Sequence, residues 1–244
     1  MTSFSERIDR AADHKKSRIV LALDPPSGKP GLQDFAAKTI SAVEQHVCAI
    51  KINFHLILPL SADEISQINR LAHSHGLQSI ADIKLNDIEN TNQVALDHLI
   101  KMGFDAVIAN PFIGRTALAA LAKNAHRRNA GVIALVYMSH PGASEGYGLE
   151  EKGGQPLYKT FLDRATEAGV DGIVVGATQL DILKQVAKQG IPIYSPGVGA
   201  QGGDLENAIK SGAAYLMVGR AIVEAEQPAK AAKEMQGRIL AISK

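Results

Sequence analysis

Short apolar runs rich in β-branched residues recur along the chain at 18–23, 47–52, 78–83, 105–109, 131–136, 171–175, 191–194 and 214–218. Each has the length of a buried strand, too short for a helix. Between them lie stretches with apolar residues at helical spacing, among them LQDFAAKTISAVEQ, ADEISQINRLAHSHG and NQVALDHLIKMG. Gly76, Gly103, Gly169, Gly190 and Gly212 stand just ahead of the following run, where a helix must end and turn. Strict β–α alternation predicts a parallel sheet. Eight such units in 244 residues suit a closed (β/α)8 TIM barrel, a single domain over 1–244. An open doubly wound sheet is the alternative, but the glycine-rich dinucleotide fingerprint is missing after the first run. Residues 1–16 predict an extra N-terminal helix on the barrel floor, and the polar, glycine-rich 143–155 predicts a long loop.

Composition narrows the class of function. The net charge is +1 and there is no Trp, so neither a basic footprint nor a base-stacking platform argues for nucleic acid. No apolar run approaches the roughly 20 residues that span a bilayer. The start, MTSFSERIDRAADHKKS, mixes acids and bases without the apolar stretch of a secretory signal, so a cytoplasmic protein is expected. The single cysteine, Cys48, sits in VCAIKI and reads as a small core residue. One cysteine forms no intrachain disulfide, and the histidines show no ligand spacing, so neither metal nor cofactor is expected.

Barrel chemistry collects at the C-terminal ends of strands. The first run ends in LALD, with Asp24, and the second in KIN, with Lys51. The third continues as ADIKLNDIENTN, with Asp82, Lys84 and Asp87, and the fifth ends in YMSHPG, with Ser139. Asp82 and Lys84 are two apart, so on a strand both face the barrel mouth while Ala81 and Ile83 face the helices. Asp24 and Lys51, on neighbouring strands, can join them. A structural ion-pair network would use the same residue types. Four charges ending the first three strands favour a site, because buried charge is costly without full pairing or a purpose.

Barrels often bind phosphate between the loops after strands seven and eight. Here these are SPGVGAQGGD (195–204) and VGRAI (218–222). Their glycines let backbone N–H groups approach an anion, Asp204 can cap the next helix, and Gly219 and Arg220 open another. Arg220 adds a planar, permanently charged fork, and Gln201 can donate from the loop. A glycine-rich turn beside an exposed arginine is the plainer reading; the position after both last strands favours phosphate.

LALD, AIKI, ADIKLNDI with Thr91 following, MSHPGA, SPGVGAQGGD and VGRAI, in this order and spacing from about residue 17 onward, together resemble the orotidine 5′-phosphate decarboxylases, especially the shorter, archaeal-like branch. The resemblance implies decarboxylation of orotidine 5′-phosphate to UMP without a cofactor. It implies that Asp24 and Lys51 bind ribose hydroxyls, that Asp82 lies against the substrate carboxylate, and that Lys84 gives the proton to C6. Asp87, Ile88 and Thr91 would reach the partner's site in a homodimer. Ser139 and Gln201 would meet near the pyrimidine, with Pro196 against the base and a closing segment after it. Gln201, Gly219 and Arg220 would hold the phosphate, and Ile108 and Leu135 would form an apolar pocket beside the leaving carboxylate. Asn110, His140 and the 143–155 segment receive no role.

Two rivals stand beside this. Hexulose-phosphate synthases and keto-gulonate-phosphate decarboxylases resemble the same barrel and use Mg2+, but their metal needs a carboxylate where Lys51 ends the second run. A non-catalytic nucleotide-binding barrel is the other; it leaves the filled catalytic positions unexplained.

Overall fold

A computed structural model describes residues 2–199 and 201–242; Met1, Ala200, Ser243 and Lys244 lie outside them, so the 195–204 loop is seen without Ala200. Eight parallel strands close a barrel in chain order: β1 Ile19–Ala22, β2 Ala49–Asn53, β3 Gln78–Leu85, β4 Ala106–Ala109, β5 Gly131–Tyr137, β6 Gly172–Val175, β7 Ile193–Pro196 and β8 Tyr215–Val218. Every predicted run is a strand, and the closing pair sets Leu21 of β1 beside Val218 of β8.

Helices cover the outside: α1 Phe4–Lys15, α2 Leu32–Val43, α3 Phe54–Ile57, α4 Ala62–Ser74, α5 Glu89–Lys101, α6 Arg115–His126, α7 Ser144–Tyr147, α8 Leu157–Ala168, α9 Leu180–Val186, α10 Leu205–Lys210, α11 Arg220–Val223 and α12 Pro228–Ile242. Local chemistry sets their ends. Ser3 with Glu6 and Ser61 with Glu64 form capping boxes that start α1 and α4. Gly169 stops α8 at φ 64°, a left-handed position that a Cβ would strain.

Alternation along each strand divides the core. Leu21, Ile50, Ala81, Val107 and Ile173 face the helices. Val20, Ala49, Ile80, Ala106, Ile133, Tyr194 and Tyr215 face inward and meet Phe4, Ile8, Ala11 and Ala12 of α1. The N-terminal helix therefore plugs the barrel floor, as expected. Phe4 occupies the space a side chain at residue 131 would need, with its ring 2.4 Å from where a Cβ on Gly131 would stand. Cys48 is fully buried, its thiol donating to the Ile19 carbonyl at 3.3 Å, and burial pushes its pKa up to about 12.

Two expectations change. The 143–155 segment is a loop only in part: Ser144–Tyr147 forms a helical turn, and the Tyr147 ring packs 5.4 Å from Tyr137 and 6.0 Å from Phe161. An aromatic anchor thus fixes a glycine-rich stretch. β1 stops at Ala22, so Asp24 lies two residues past the strand and not at its end. Among the described residues, no helix is long and apolar enough to cross a membrane.

Candidate active site

The C-terminal strand ends surround a cavity of about 560 Å³. Its wall includes Asp24, Lys51, Asp82, Lys84, Ile108, Leu135, Ser139, Pro196, Gln201, Gly219 and Arg220, contributed by segments from both halves of the barrel. Eleven of the expected positions thus converge, including Ile108 and Leu135 from the strands β4 and β5.

Asp82 is the hub of the charged wall. Its two carboxylate oxygens each accept from one ammonium, Lys51 Nζ at 2.7 Å and Lys84 Nζ at 2.7 Å. Lys51 Nζ also stands 4.0 Å from Asp24 Oδ1, which is buried with no hydrogen-bond partner among the described residues. Burial alone would raise the Asp82 pKa, but Lys51 and Lys84 outweigh it and hold the carboxyl below the usual range. Burial would likewise lower Lys51, yet Asp82 and Asp24 outweigh it and hold the ammonium above its usual value. Both shifts favour the charged forms of Asp82 and Lys51.

Strand alternation alone does not produce this geometry. Ala81 pairs with Val107 of β4 and Leu85 pairs with Ala109, so four steps along β3 match two along β4. The extra residues bulge at 82–84, and Lys84 adopts φ 47°. A left-handed backbone costs a residue with a Cβ about 1–2 kcal/mol. The bulge turns the lysine back over the strand end, where its ammonium meets Asp82.

The opposite wall is built from close backbone approaches. A methyl group at Gly197 (φ 94°) would lie 2.7 Å from Gln201 Oε1 and 2.8 Å from Ser139 Cβ. Ser139 and Gln201 therefore flank one backbone position that only a glycine can occupy. Gly219 precedes α11, and a Cβ there would sit 3.6 Å from Asp24 Oδ2, so the last strand end adjoins the first. Arg220 stands exposed on the rim. Asp204 caps α10, accepting the Asn207 N–H at 2.8 Å.

Asp87, Ile88 and Thr91 are not in the cavity of their own chain. All three are exposed, Ile88 at 71%. Asn110 stands outside the cavity too; its side chain accepts the Phe112 N–H at 3.0 Å and caps a short turn. The polar lining residues Ser27, Asn53, His55, His140 and Glu224 carry no role in the sequence analysis. Asn53 follows Lys51 by two and Glu224 follows Arg220 by four, so strand and helix spacing set them on the same side as those residues. No comparable signal marks His55, and His140 reads as plain loop. Among the described residues, no group of three His, Cys, Asp or Glu side chains is arranged to hold an ion.

Comparison with known proteins agrees with this geometry. An orotidine 5′-phosphate decarboxylase from Pyrococcus horikoshii is 37% identical over 224 residues, 91% of this chain and 98% of its own. The solved orotidine 5′-monophosphate decarboxylase of Methanocaldococcus jannaschii, complexed with the inhibitor BMP, superposes at TM-score 0.77 with 30% identity, over 90% of this chain and 96% of that one. A Leishmania donovani OMP decarboxylase gives TM-score 0.85 over 99% of this chain and 98% of its own, at 23% identity, which speaks to the fold alone. Residues 17–235 match one family over most of the chain, and the protein belongs to it: the Orotidine 5'-phosphate decarboxylase / HUMPS family.

Proposed function

We propose that the chain decarboxylates orotidine 5′-phosphate to UMP without a cofactor, and that it does so as a cytoplasmic homodimer with shared sites. The observation that carries this reading is the Lys51–Asp82–Lys84 array, set in the wall of a cavity that Gly219 and Arg220 also line. Such a cavity suits a ligand that carries both an anionic group and a reacting centre.

The phosphate sits against Gly219, Arg220 and the Gln201 amide. Asp24 and Lys51 hold the ribose hydroxyls; the unsatisfied Asp24 Oδ1 is an acceptor ready for one of them. Ser139 and Pro196 face the base. The substrate carboxylate then lies beside Asp82 and the apolar Ile108 and Leu135. Departure of CO2 breaks its bond to C6 and leaves the electron pair on C6, next to no electron sink. The Lys84 ammonium stabilises that charge and transfers a proton to it, and water restores the lysine. Repulsion between Asp82 and the substrate carboxylate falls as CO2 leaves. Binding the remote phosphate helps fix this alignment.

Asp87, Ile88 and Thr91 complete the neighbouring site. Their exposure outside their own cavity, with Ile88 an uncovered apolar residue, suits that placement. The Mg2+-dependent alternative fits less well, because both oxygens of Asp82 are already taken by ammonium groups.

The test is the absorbance change of orotidine 5′-phosphate on mixing with the protein, with and without EDTA. Equal turnover in both is expected. Turnover lost in EDTA favours a metal-dependent lyase, and tight UMP binding without turnover favours a non-catalytic barrel.

A further inference from the structure

The turn that carries Asp87 and Ile88 is held by a residue with no assigned part in the site. Asn92, in the first turn of α5, is 2% exposed. Its Nδ2 donates to the Asp87 carbonyl at 2.6 Å, and its Oδ1 accepts the Asp87 N–H at 3.2 Å. One buried amide thus satisfies both backbone groups of the same residue. The ordinary means of anchoring this turn is missing: the N-cap of α5 is Ile88, which offers no side-chain hydrogen bond. Asn92 replaces that cap from inside the helix. With the backbone clamped, Asp87 Oδ1 accepts the Ile88 N–H at 2.6 Å, and the turn presents Asp87, Ile88 and Thr91 outward together.

We infer that Asn92 is a positioning residue for the site of the partner subunit: its buried amide fixes the turn that delivers Asp87 across the interface, and it leaves its own chain's Lys84 untouched. The inference deepens the shared-site reading and rests on it. Its physical basis is the geometry of catalysis, where a misplacement of about 1 Å costs on the order of 10²-fold in rate. A side chain on an exposed turn holds such a position only when the backbone beneath it is pinned. Among the described residues, no other ties both backbone groups of Asp87 to buried structure.

Subunit complementation separates the possibilities. Three homodimers are prepared, Lys84→Ala, Asp87→Ala and Asn92→Asp, and exchanged in pairs. Asn92→Asp keeps the volume and an acceptor oxygen and removes the Nδ2 donor; Asn92→Ala serves as the second variant, with folding checked by circular dichroism. Each Asn92 variant alone should lose about tenfold or more in kcat/KM. Mixed with Lys84→Ala, it should recover, because each hybrid dimer then has one intact site of two; a 1:1 mixture approaches about a quarter of wild-type activity. Mixed with Asp87→Ala, it should not recover, since both changes damage the same contributed turn.

The reverse pattern, recovery with Asp87→Ala and none with Lys84→Ala, would show that Asn92 acts on its own chain's site and would overturn the inference. So would full activity of both Asn92 variants. The pair Lys84→Ala with Asp87→Ala is the control. If it recovers nothing despite confirmed exchange, the shared-site reading itself fails, a result distinct from failure of Asn92 alone.

Discussion

The floor and the mouth of this barrel both bury carboxylates beside cations, and they treat them differently. At the floor, Asp105 accepts from Arg7, His73 and the Ser79 N–H, and Asp171 accepts from Ser5, His126 and the Val132 N–H. The two arrangements repeat one design: a carboxylate before a strand ties a helix histidine, a neighbouring strand's backbone and α1 together. At the mouth, Asp82 accepts only from two ammonium groups, Asp24 Oδ1 has no hydrogen-bond partner among the described residues, and Lys84 sits on strained backbone. Carboxylates at the floor are held by uncharged as well as charged donors and staple structure together. Charges at the mouth keep hydrogen-bonding capacity in reserve, which is what a ligand site requires and a structural network does not.

The comparison breaks first at the floor. Asp105→Ala strands Arg7, His73 and the Ser79 N–H, and should lower unfolding stability by about 3 kcal/mol. A urea titration measures this, and kcat should stay near wild type. A variant that loses kcat in proportion to nothing but the missing carboxylate, with its urea midpoint unchanged, would erase the distinction.

A smaller effect, opposite in sign to the usual rule, is expected at the bulge. In an ordinary strand Ala is more stable than Gly. At Lys84, with φ 47°, Lys84→Gly should be more stable than Lys84→Ala by about 1 kcal/mol, because Gly alone escapes the left-handed strain. Denaturant midpoints of the two variants decide it; Lys84→Ala as the more stable would mean the backbone there is relaxed.

The smallest effect lies in pH. Asp82 is depressed below the ordinary aspartate value, so its stabilisation is complete above that value and fades as pH falls through the lower folded one. Lys51 is raised above 10.5, so its part is complete below that pH and fades only as pH rises through the higher folded value. Between about pH 5 and 9 the stability difference between wild type and Asp82→Asn should therefore stay flat. A slope there, followed by thermal unfolding across that range, would show that Asp82 and Lys51 are not held in their charged forms.

Much of this is legible in the amino-acid sequence. β-branched runs placed the strands because the inner and outer faces of a TIM-barrel strand are both apolar. The charges of Asp82 and Lys84 marked the end of the third strand as a site, although a bulge and not two-residue alternation brings them together, and the glycines of the last loops marked the close approaches at Gly197 and Gly219. What stayed hidden has physical reasons. Nothing in the residue types at 82–84 announces a bulge, since the left-handed residue is a lysine and not Gly or Asn. The outward direction of Asp87, Ile88 and Thr91 depends on a turn clamped by Asn92, which in the sequence is one more polar residue at a helix start. The ordered helix at 144–147 is hidden by flanking glycines, its cause being the packing of Tyr147 on Tyr137 and Phe161.

The central claim is that the mouth array performs the chemistry while the floor holds the barrel. Its most direct test is the turnover of orotidine 5′-phosphate by Lys84→Ala, measured beside its unfolding midpoint. The account predicts a loss of at least about 10³-fold in kcat, with stability within about 1 kcal/mol of wild type and UMP still bound. Turnover within a few-fold of wild type by the folded variant would contradict it.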